Sequence, residues 1–261
     1  MLSTRREALA GVLATLGFPF IGESSPVRSM ISVNETKLDQ FEEGQYSASS
    51  YVQNGLIAVF DGEENYGWGV HENNPSKWLN LIDGRTINLN SGVVFGDNFA
   101  TTDETFSSKF FGISMDGNKG YNYPYISSEV CFETEIQDRQ FVIIDMYRRS
   151  CMGVWDTNIG VGYWKAVPFG KSAIGEIITA SAIYPSDTDN IPSSQFVDGQ
   201  FKNLTNVNFS QPLSSGTIIG GSPYDRVFAG KIYCIRLYDR QLTEEEVVWN
   251  SNVDKHRFRT K

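Results

Sequence analysis

The stretch GKIYCIRLYDRQLTEEEV, from Gly230 to Val247, carries the strongest structural signal in the chain. Apolar and polar side chains alternate from Ile232 to Tyr238, which is typical of a β-strand with two different faces. This alternation predicts that Tyr233 lies on the face opposite to Arg236. A turn at Asp239 then ends the strand.

The acidic run that follows this strand has the spacing of a helix start. In a Thr-x-x-Glu capping box, Thr243 accepts a hydrogen bond from the backbone of Glu246, and the Glu246 side chain accepts one from the backbone of Thr243. Leu242 and Val247 stand at the positions of a hydrophobic staple, and glutamates in a first turn face the positive end of the helix dipole. We therefore interpret Glu244–Glu246 as the first turn of a helix and not as catalytic residues. Consecutive helical residues point ~100° apart, so these carboxylates cannot converge on one bond.

The rest of the chain repeats the strand signal. Among the 261 residues, 40% are hydrophobic and 13% aromatic, and short apolar segments recur from Tyr51 onward with turn signals between them. The sequence VDGQ at Val197–Gln200 predicts a two-residue hairpin turn at Asp198-Gly199. Almost no helical periodicity is present. The pattern predicts a large antiparallel β-sandwich or barrel.

Charge and cysteine content exclude several classes of protein. The net charge of -9 and the pI near 4.8 argue against nucleic-acid partners and anionic membrane surfaces, which need a basic face. The chain has three cysteines, and an odd number in a domain of this size does not indicate a disulfide framework. Cys131 and Cys234 lie in strand-like stretches, so we expect them to be buried free thiols. The alternative is one disulfide, and the sequence does not indicate which two cysteines would form it.

Three segments are predicted along the chain. In residues 1–22, two arginines precede an apolar run from Ala8 to Ile21, which is shorter than the ~20 residues of a stable membrane span. This segment is interpreted as a twin-arginine-like export signal or as an N-terminal anchoring helix. Residues 23–50, rich in Ser, Glu, Gln and Asn, are predicted to be a linker or arm. Residues 51–261 form the predicted domain.

Four stretches, in order, resemble a laminin-G-like domain of the concanavalin A-like jelly-roll (lectin and glucanase) superfamily. The closing stretch is the most specific, and the resemblance covers about Tyr51 to Phe258. It implies an all-β fold, a jelly-roll β-sandwich of two antiparallel sheets with a short C-terminal helix. The four stretches are GLIAVFDGEENYG (Gly55–Gly67), WLNLIDGR (Trp78–Arg85), TASAIY with FVDGQ (179–184 and 196–200), and Phe228–Val247.

The resemblance also implies a role. Domains of this kind usually bind glycans or surface proteins, and they occur in secreted bacterial proteins and in phage structural proteins. We expect a non-catalytic recognition or adhesion module that is extracellular or on the cell surface and binds a glycan or a cell-surface protein. Two alternatives are a structural or decoration protein of a phage particle, which would contact other virion proteins, and a diverged glycoside hydrolase.

Some domains of this superfamily hold a structural calcium ion near the loop after the first strand. The resemblance implies Asp61, Glu63 and Glu64 as its ligands in this chain, although the predicted function requires no cofactor. In the closing strand, Tyr233 stands where an acidic residue is often found. Calcium prefers six to eight oxygen ligands, more than these carboxylates supply by themselves.

Two loops combine aromatic rings with planar polar side chains, a mixture that suits the C–H faces and hydroxyl rims of sugars. We predict ligand contacts in both of them. In the alternative interpretation, the tryptophans pack on the rim of the sandwich. The residues are Tyr66, Trp68, His71 and Asn73 in the loop Asn65–Asn74, and Trp155, Asp156 and Asn158 in the loop Val154–Asn158.

The best candidate for catalysis is the pair Glu133 and Glu135, whose Cα atoms would lie ~6.7 Å apart on one face of a strand. Retaining glycosidases place two carboxyl groups ~5–5.5 Å apart. The stretch departs from the glucanase pattern E-x-D-x-x-E at two positions, where Glu135 and Asp138 stand. We interpret the pair as solvated carboxylates and expect no enzyme activity. With only two histidines, no zinc-binding spacing occurs.

Overall fold

The structure is a computed structural model of the chain, and all of the residues that it describes lie within Phe41–Lys261. It describes residues 46–64, 77–88, 93–102, 126–135, 140–146, 150–155, 158–162, 167–171, 174–184, 193–205, 217–219, 221–222, 226–227 and 230–259.

Strands dominate the described residues, and one α-helix follows the last of them. The strands are β1 (Leu56–Asp61), β2 (Lys77–Leu79), β3 (Thr86–Asn88), β4 (Val93–Phe95), β5 (Ala100–Thr102), β6 (Ser127–Thr134), β7 (Gln140–Met146), β8 (Ser150–Trp155), β9 (Asn158–Gly162), β10 (Val167–Lys171), β11 (Ile177–Ile183), β12 (Ser193–Val197), β13 (Gln200–Thr205), β14 (Thr217–Ile219), β15 (Gly221–Ser222), β16 (Arg226–Val227) and β17 (Gly230–Tyr238). The helices are a 3-10 turn (Ala48–Ser50), the α-helix α1 (Glu244–Asp254) and a π-helical turn (Lys255–Arg259).

Two antiparallel sheets form the sandwich. In the described part of the chain, eight strands make one sheet in the order β13-β12-β11-β6-β17-β5-β4, with β1 also paired to β17. Five strands make the other in the order β10-β9-β8-β7-β14. The two sheets pack closely at Gly170 of β10 and Val197 of β12, because a Cβ added to Gly170 would lie 2.6 Å from the Val197 side chain. The predicted all-β sandwich with a short C-terminal helix is confirmed.

The closing strand β17 lies near the centre of the larger sheet. One edge pairs with β6, and the other pairs with β1 and β5. A β-bulge interrupts the β6 pairing between Ile232 and Cys234, so that Tyr233 is the extra residue. Because a bulge shifts the alternation by one position, Tyr233 and Cys234 pack in the same hydrophobic cluster. This corrects the predicted regular alternation of the strand.

The helix α1 packs on one face of the larger sheet. Its buried residues Val247 and Val253 belong to a cluster with residues from β1, β6 and β17. The predicted capping box is present: Thr243 Oγ1 accepts from Glu246 N at 3.3 Å, and Glu246 Oε2 accepts from Thr243 N at 2.9 Å. Leu242 is buried in the same cluster as Val247, as the staple predicts.

Replacing Thr243 by alanine is expected to lower the free energy of unfolding by ~1 kcal/mol, because a backbone N–H at the start of α1 loses its acceptor. Urea denaturation of the variant measures this loss. Thr243→Ser keeps the hydroxyl and serves as the control, with a midpoint near that of the wild type. An unchanged midpoint for Thr243→Ala would contradict a stabilising role of the cap.

The predicted hairpin turn joins β12 and β13. Asp198 and Gly199 have φ angles of 53° and 75°, the left-handed values that a type I′ turn needs at both positions. The turn approaches α1 closely, since a Cβ on Gly199 would lie 3.1 Å from the Cα of Val248. A glycine is therefore required here both for its conformation and for the packing of the helix.

The segment before β1 also contacts the domain. Tyr51 is 2% exposed, the Trp249 indole N–H donates to the Ser50 carbonyl at 2.8 Å, and Tyr46 stacks on His256. These contacts extend to residues on the N-terminal side of the predicted start of the domain at residue 51. The predicted segment 1–22 and most of 23–50 lie outside the described residues, so the division of the chain stays a prediction.

Two further predictions concern cysteines and membranes. Cys131 and Cys234 are buried free thiols, as expected, and burial raises the pKa of both. They face each other as partners on β6 and β17. None of the helices in the described ranges is long and apolar enough to cross a membrane.

Candidate functional site

A fully buried arginine lies between the larger sheet and α1. Arg236 is 0% exposed, and its guanidinium donates to Glu129 Oε2 at 2.9 Å and to both carboxylate oxygens of Asp254 at 2.7 Å. Its centre lies 4.0 Å from the ring centroid of Tyr51. The strand pattern explains the placement, because Arg236 and Glu129 are cross-strand partners on β17 and β6.

The acceptors around Arg236 are satisfied by further donors. Glu129 accepts from Asn250 Nδ2 at 2.7 Å and from Ser181 Oγ at 3.0 Å. Asp254 accepts from the Tyr51 hydroxyl at 2.7 Å and from Thr179 Oγ1 at 2.8 Å. Burial raises the pKa of Glu129, and the neighbouring guanidinium offsets this only in part. Such a closed network fixes α1 on the sheet and offers no group to a ligand.

A second arginine organises the segment after β1. The Arg257 guanidinium donates to Asp61 Oδ2 at 2.6 Å and Oδ1 at 3.1 Å, to Glu63 Oε2 at 3.2 Å and to Glu64 Oε1 at 3.1 Å. Asp61 Oδ1 also accepts from the backbone N–H groups of Glu63 and Glu64 at 2.9 and 3.0 Å. Asp61 is 0% exposed, and burial raises the pKa of Glu64.

These carboxylates are the three predicted calcium ligands, and the structure brings all of them together. Their shared partner is a guanidinium. No group of three or more His, Cys, Asp or Glu side chains that could hold a metal ion is present among the residues the structure describes. The calcium assignment of Asp61, Glu63 and Glu64 stays a prediction, and the oxygens it would use already accept from Arg257.

The predicted ligand loop Asn65–Asn74 begins directly after this segment. Its own residues Tyr66, Trp68, His71 and Asn73 lie outside the described residues. The chain is described again from Lys77, and there the fully buried Trp78 donates its indole N–H to the carbonyl oxygen of Asp61 at 3.1 Å. The segments on both sides of the loop are therefore held at Asp61, one through Arg257 and the other through Trp78.

The second predicted ligand loop connects two strands of the smaller sheet. Trp155 ends β8 and Asn158 begins β9, and the two residues are cross-strand partners. Asn158 is half-buried. Asp156 lies outside the described residues. The structure thus brings two of the three predicted residues of this loop to the end of one hairpin.

Of the predicted carboxylate pair, Glu133 lies within β6 and Glu135 lies just after its end. Glu133 lies on β6, where Lys231 Nζ donates to it at 3.2 Å and the Tyr233 hydroxyl at 2.8 Å. Burial, and then the carboxylate of Glu133, raise the pKa of Tyr233. Glu133 therefore takes part in a local cluster that a strand-spacing argument does not reveal.

Sequence reasoning did not select Arg236, Arg257, Glu129 or Asp254. The sequence of β17 contains a signal for Arg236, because this charged residue stands between two apolar residues of the strand. The carboxylate partners of Arg257 lie 193 to 196 positions away in the chain, and no local pattern points to them.

Comparisons with known proteins give a fold and no family. No protein-family model and no curated protein matches the chain. A Trypanosoma rangeli sialidase is similar with 14% identity and a TM-score of 0.56, over 93% of this chain and 40% of that one. The same sialidase in complex with the inhibitor DANA gives 14% identity and a TM-score of 0.57, over 89% and 39%.

A carbohydrate-binding module, CBM40 of the Ruminococcus gnavus IT-sialidase bound to α2,3 sialyllactose, matches with 12% identity over 47% of this chain and 79% of that one. Its TM-score of 0.38 is too low to indicate a shared fold. The likeness to the Trypanosoma rangeli sialidase shows the fold alone, and this chain spans about two fifths of the length of the sialidase chains it matches.

Proposed function

We propose that this chain is a laminin-G-like recognition module that binds a glycan, or a cell-surface protein that carries one, without cleaving it. The proposal places it outside the cell or on the cell surface. It rests on the loop Asn65–Asn74, which carries aromatic rings, an imidazole and amides that suit sugar recognition.

The anchoring of this loop is the observation that carries the proposal. The chain enters the loop from Glu64, held by Arg257, and soon after leaving it is fixed by Trp78, which bonds to Asp61. A binding loop whose ends are fixed loses less conformational entropy when it takes up a ligand. Such an anchored base is what a recognition loop requires.

The placement of the described carboxylates supports binding over hydrolysis. Most glycosidases act through two carboxyl groups that flank the scissile bond. Glu133 accepts from both Lys231 and Tyr233, and Glu246 caps α1 and pairs with Arg240. Each of these carboxylates already has a structural partner.

The proposal predicts that the full chain binds a subset of an array of β-glucans, galactans and sialylated host glycans. The sialidase likeness is the reason to include sialylated probes. Trp68→Ala and Trp155→Ala are each expected to weaken binding roughly 10-fold, the loss that follows from removing one stacked ring. Isothermal titration with the best glycan from the array measures the change.

Phe201→Ala is the matched control, because Phe201 is an exposed aromatic residue at 47% exposure and lies outside both loops. It should bind like the wild type. Wild-type binding by both tryptophan variants would contradict the assignment of the loops. New reducing ends that disappear in Glu133→Gln would make the protein a glycosidase.

A further inference from the structure

The acidic segment Asp61–Glu64 concentrates three carboxylates in one place. Asp61 is fully buried, and the side chains of Glu63 and Glu64 are 28% and 29% exposed. Gathering negative charge at a partly desolvated position is unfavourable unless a cation compensates it. In the domains that this chain resembles, calcium is the cation implied for this loop.

The oxygens of this segment are arranged for N–H donors. Asp61 Oδ1 accepts three of them: the backbone N–H groups of Glu63 and Glu64, and Arg257 Nη2. Arg257 Nη1 also donates to Asp61 Oδ2 at 2.6 Å, so the guanidinium and the carboxylate form a bidentate pair. A calcium ion would have to replace these donors with six to eight oxygens, and these carboxylates do not fit that demand.

Two aromatic residues also contact the Arg257 side chain. Its side chain is 1% exposed, its Nη1 donates to the Tyr51 hydroxyl at 2.9 Å, and its guanidinium lies 4.9 Å from the ring centroid of Phe258. Burial opposes the charged form, but Tyr51 and Asp61 outweigh it and raise the pKa of Arg257. The Arg257 guanidinium is therefore always charged, and the π-helical turn Lys255–Arg259 places it beside Asp61.

We propose that Arg257 is the built-in counter-ion of the segment Asp61–Glu64 and takes the place that calcium holds in similar domains. The base of the loop Asn65–Asn74 is then formed without a metal ion. Arg257 is a positioning residue in this proposal. The proposal goes beyond glycan recognition and can be tested without any glycan.

The first measurement is the melting temperature of the wild-type chain in millimolar CaCl₂ and in millimolar EDTA. The proposal expects the same melting temperature in both, because an ion that binds only the folded state would raise it. A higher melting temperature in CaCl₂, reversed by EDTA, would overturn the proposal.

The second measurement compares variants in EDTA. Arg257→Met should lower the melting temperature by ~10 °C, since it leaves buried carboxylates without a cation. Adding Asp61→Asn to Arg257→Met should recover part of that loss by removing one unpaired charge. Arg259→Met, in the same turn but paired with Asp198, is the control and should lose less.

Two variant results would contradict the proposal: a wild-type melting temperature for Arg257→Met, and a double variant that is no more stable than Arg257→Met. If Arg257→Met does not fold, the wild-type melting temperatures in CaCl₂ and in EDTA still test the proposal, because a loop held by calcium would lose stability in EDTA.

Discussion

Arg236→Met is expected to lower the free energy of unfolding by at least ~4 kcal/mol, which is enough to leave a marginally stable domain largely unfolded. The methionine fills similar space but removes the only charge that faces both Glu129 and Asp254 within the described network. Glu129, Asp254 and Arg236 are each 0% exposed, so bulk water does not solvate the two carboxylates that lose their partner. Removing one member of a buried ion pair costs much more than the intact pair contributes.

Urea denaturation followed by tryptophan fluorescence measures this change. Arg240→Met is the matched control, because Arg240 also pairs with a glutamate, Glu246, but both side chains are 26% exposed. Ion pairs that water still reaches contribute about 1 kcal/mol or less, so the control should keep most of its stability. A wild-type midpoint for Arg236→Met would contradict the role of the network.

If Arg236→Met cannot be recovered folded, a pair of variants at the partners tests the same network. Glu129→Gln keeps the shape and one acceptor oxygen but removes the charge. It should be destabilised less than Glu129→Leu, which removes the acceptor of Ser181 and one of the two acceptors of Asn250. Equal stability of the two variants would argue that the network contributes little.

Gly62→Ala is expected to destabilise the domain by ~3 kcal/mol through overpacking. A Cβ at Gly62 would lie 2.5 Å from the carbonyl oxygen of Asn98 and 2.7 Å from the Cα of Phe99. Both atoms belong to the backbone, so no side chain can rotate aside. The movement needed would also strain the hydrogen bond from Gly62 N to the Tyr233 carbonyl, which is 2.8 Å long.

The matched control for this substitution is Gly84→Ala. Gly84 has a φ of 73° and no atom within 4 Å of an added Cβ, so its cost is limited to the left-handed conformation, ~1 kcal/mol. Thermal unfolding of the two variants should therefore separate crowding from backbone strain. A smaller loss for Gly62→Ala than for Gly84→Ala would contradict the close approach at Gly62.

Local features of the fold were predictable from the sequence. The capping box at Thr243 and the hairpin turn at Asp198-Gly199 depend on residues within four positions of each other, so their chemistry is visible in the sequence. The strand character of β17 follows from its alternation in the same way. The bulge at Tyr233 was not predicted, because it is set by the register of β17 against β6.

The candidate site was predictable only in part. The sequence grouped Asp61, Glu63 and Glu64, and placed Trp155 and Asn158 together, since these residues are close in the chain. It did not indicate that these carboxylates pair with Arg257, and five of the seven predicted ligand residues lie outside the described residues.

Local periodicity and local hydrogen bonds are sufficient to predict the alternating strands, the two-residue turn and the start of the helix. The partners of the buried charges depend on how these elements pack in three dimensions. Arg257 reaches Asp61 across 196 positions and Arg236 reaches Glu129 across 107. Such pairs form because folding buries both members and each charge then needs a partner, a requirement that arises only once the sheet and the C-terminal helix have packed together.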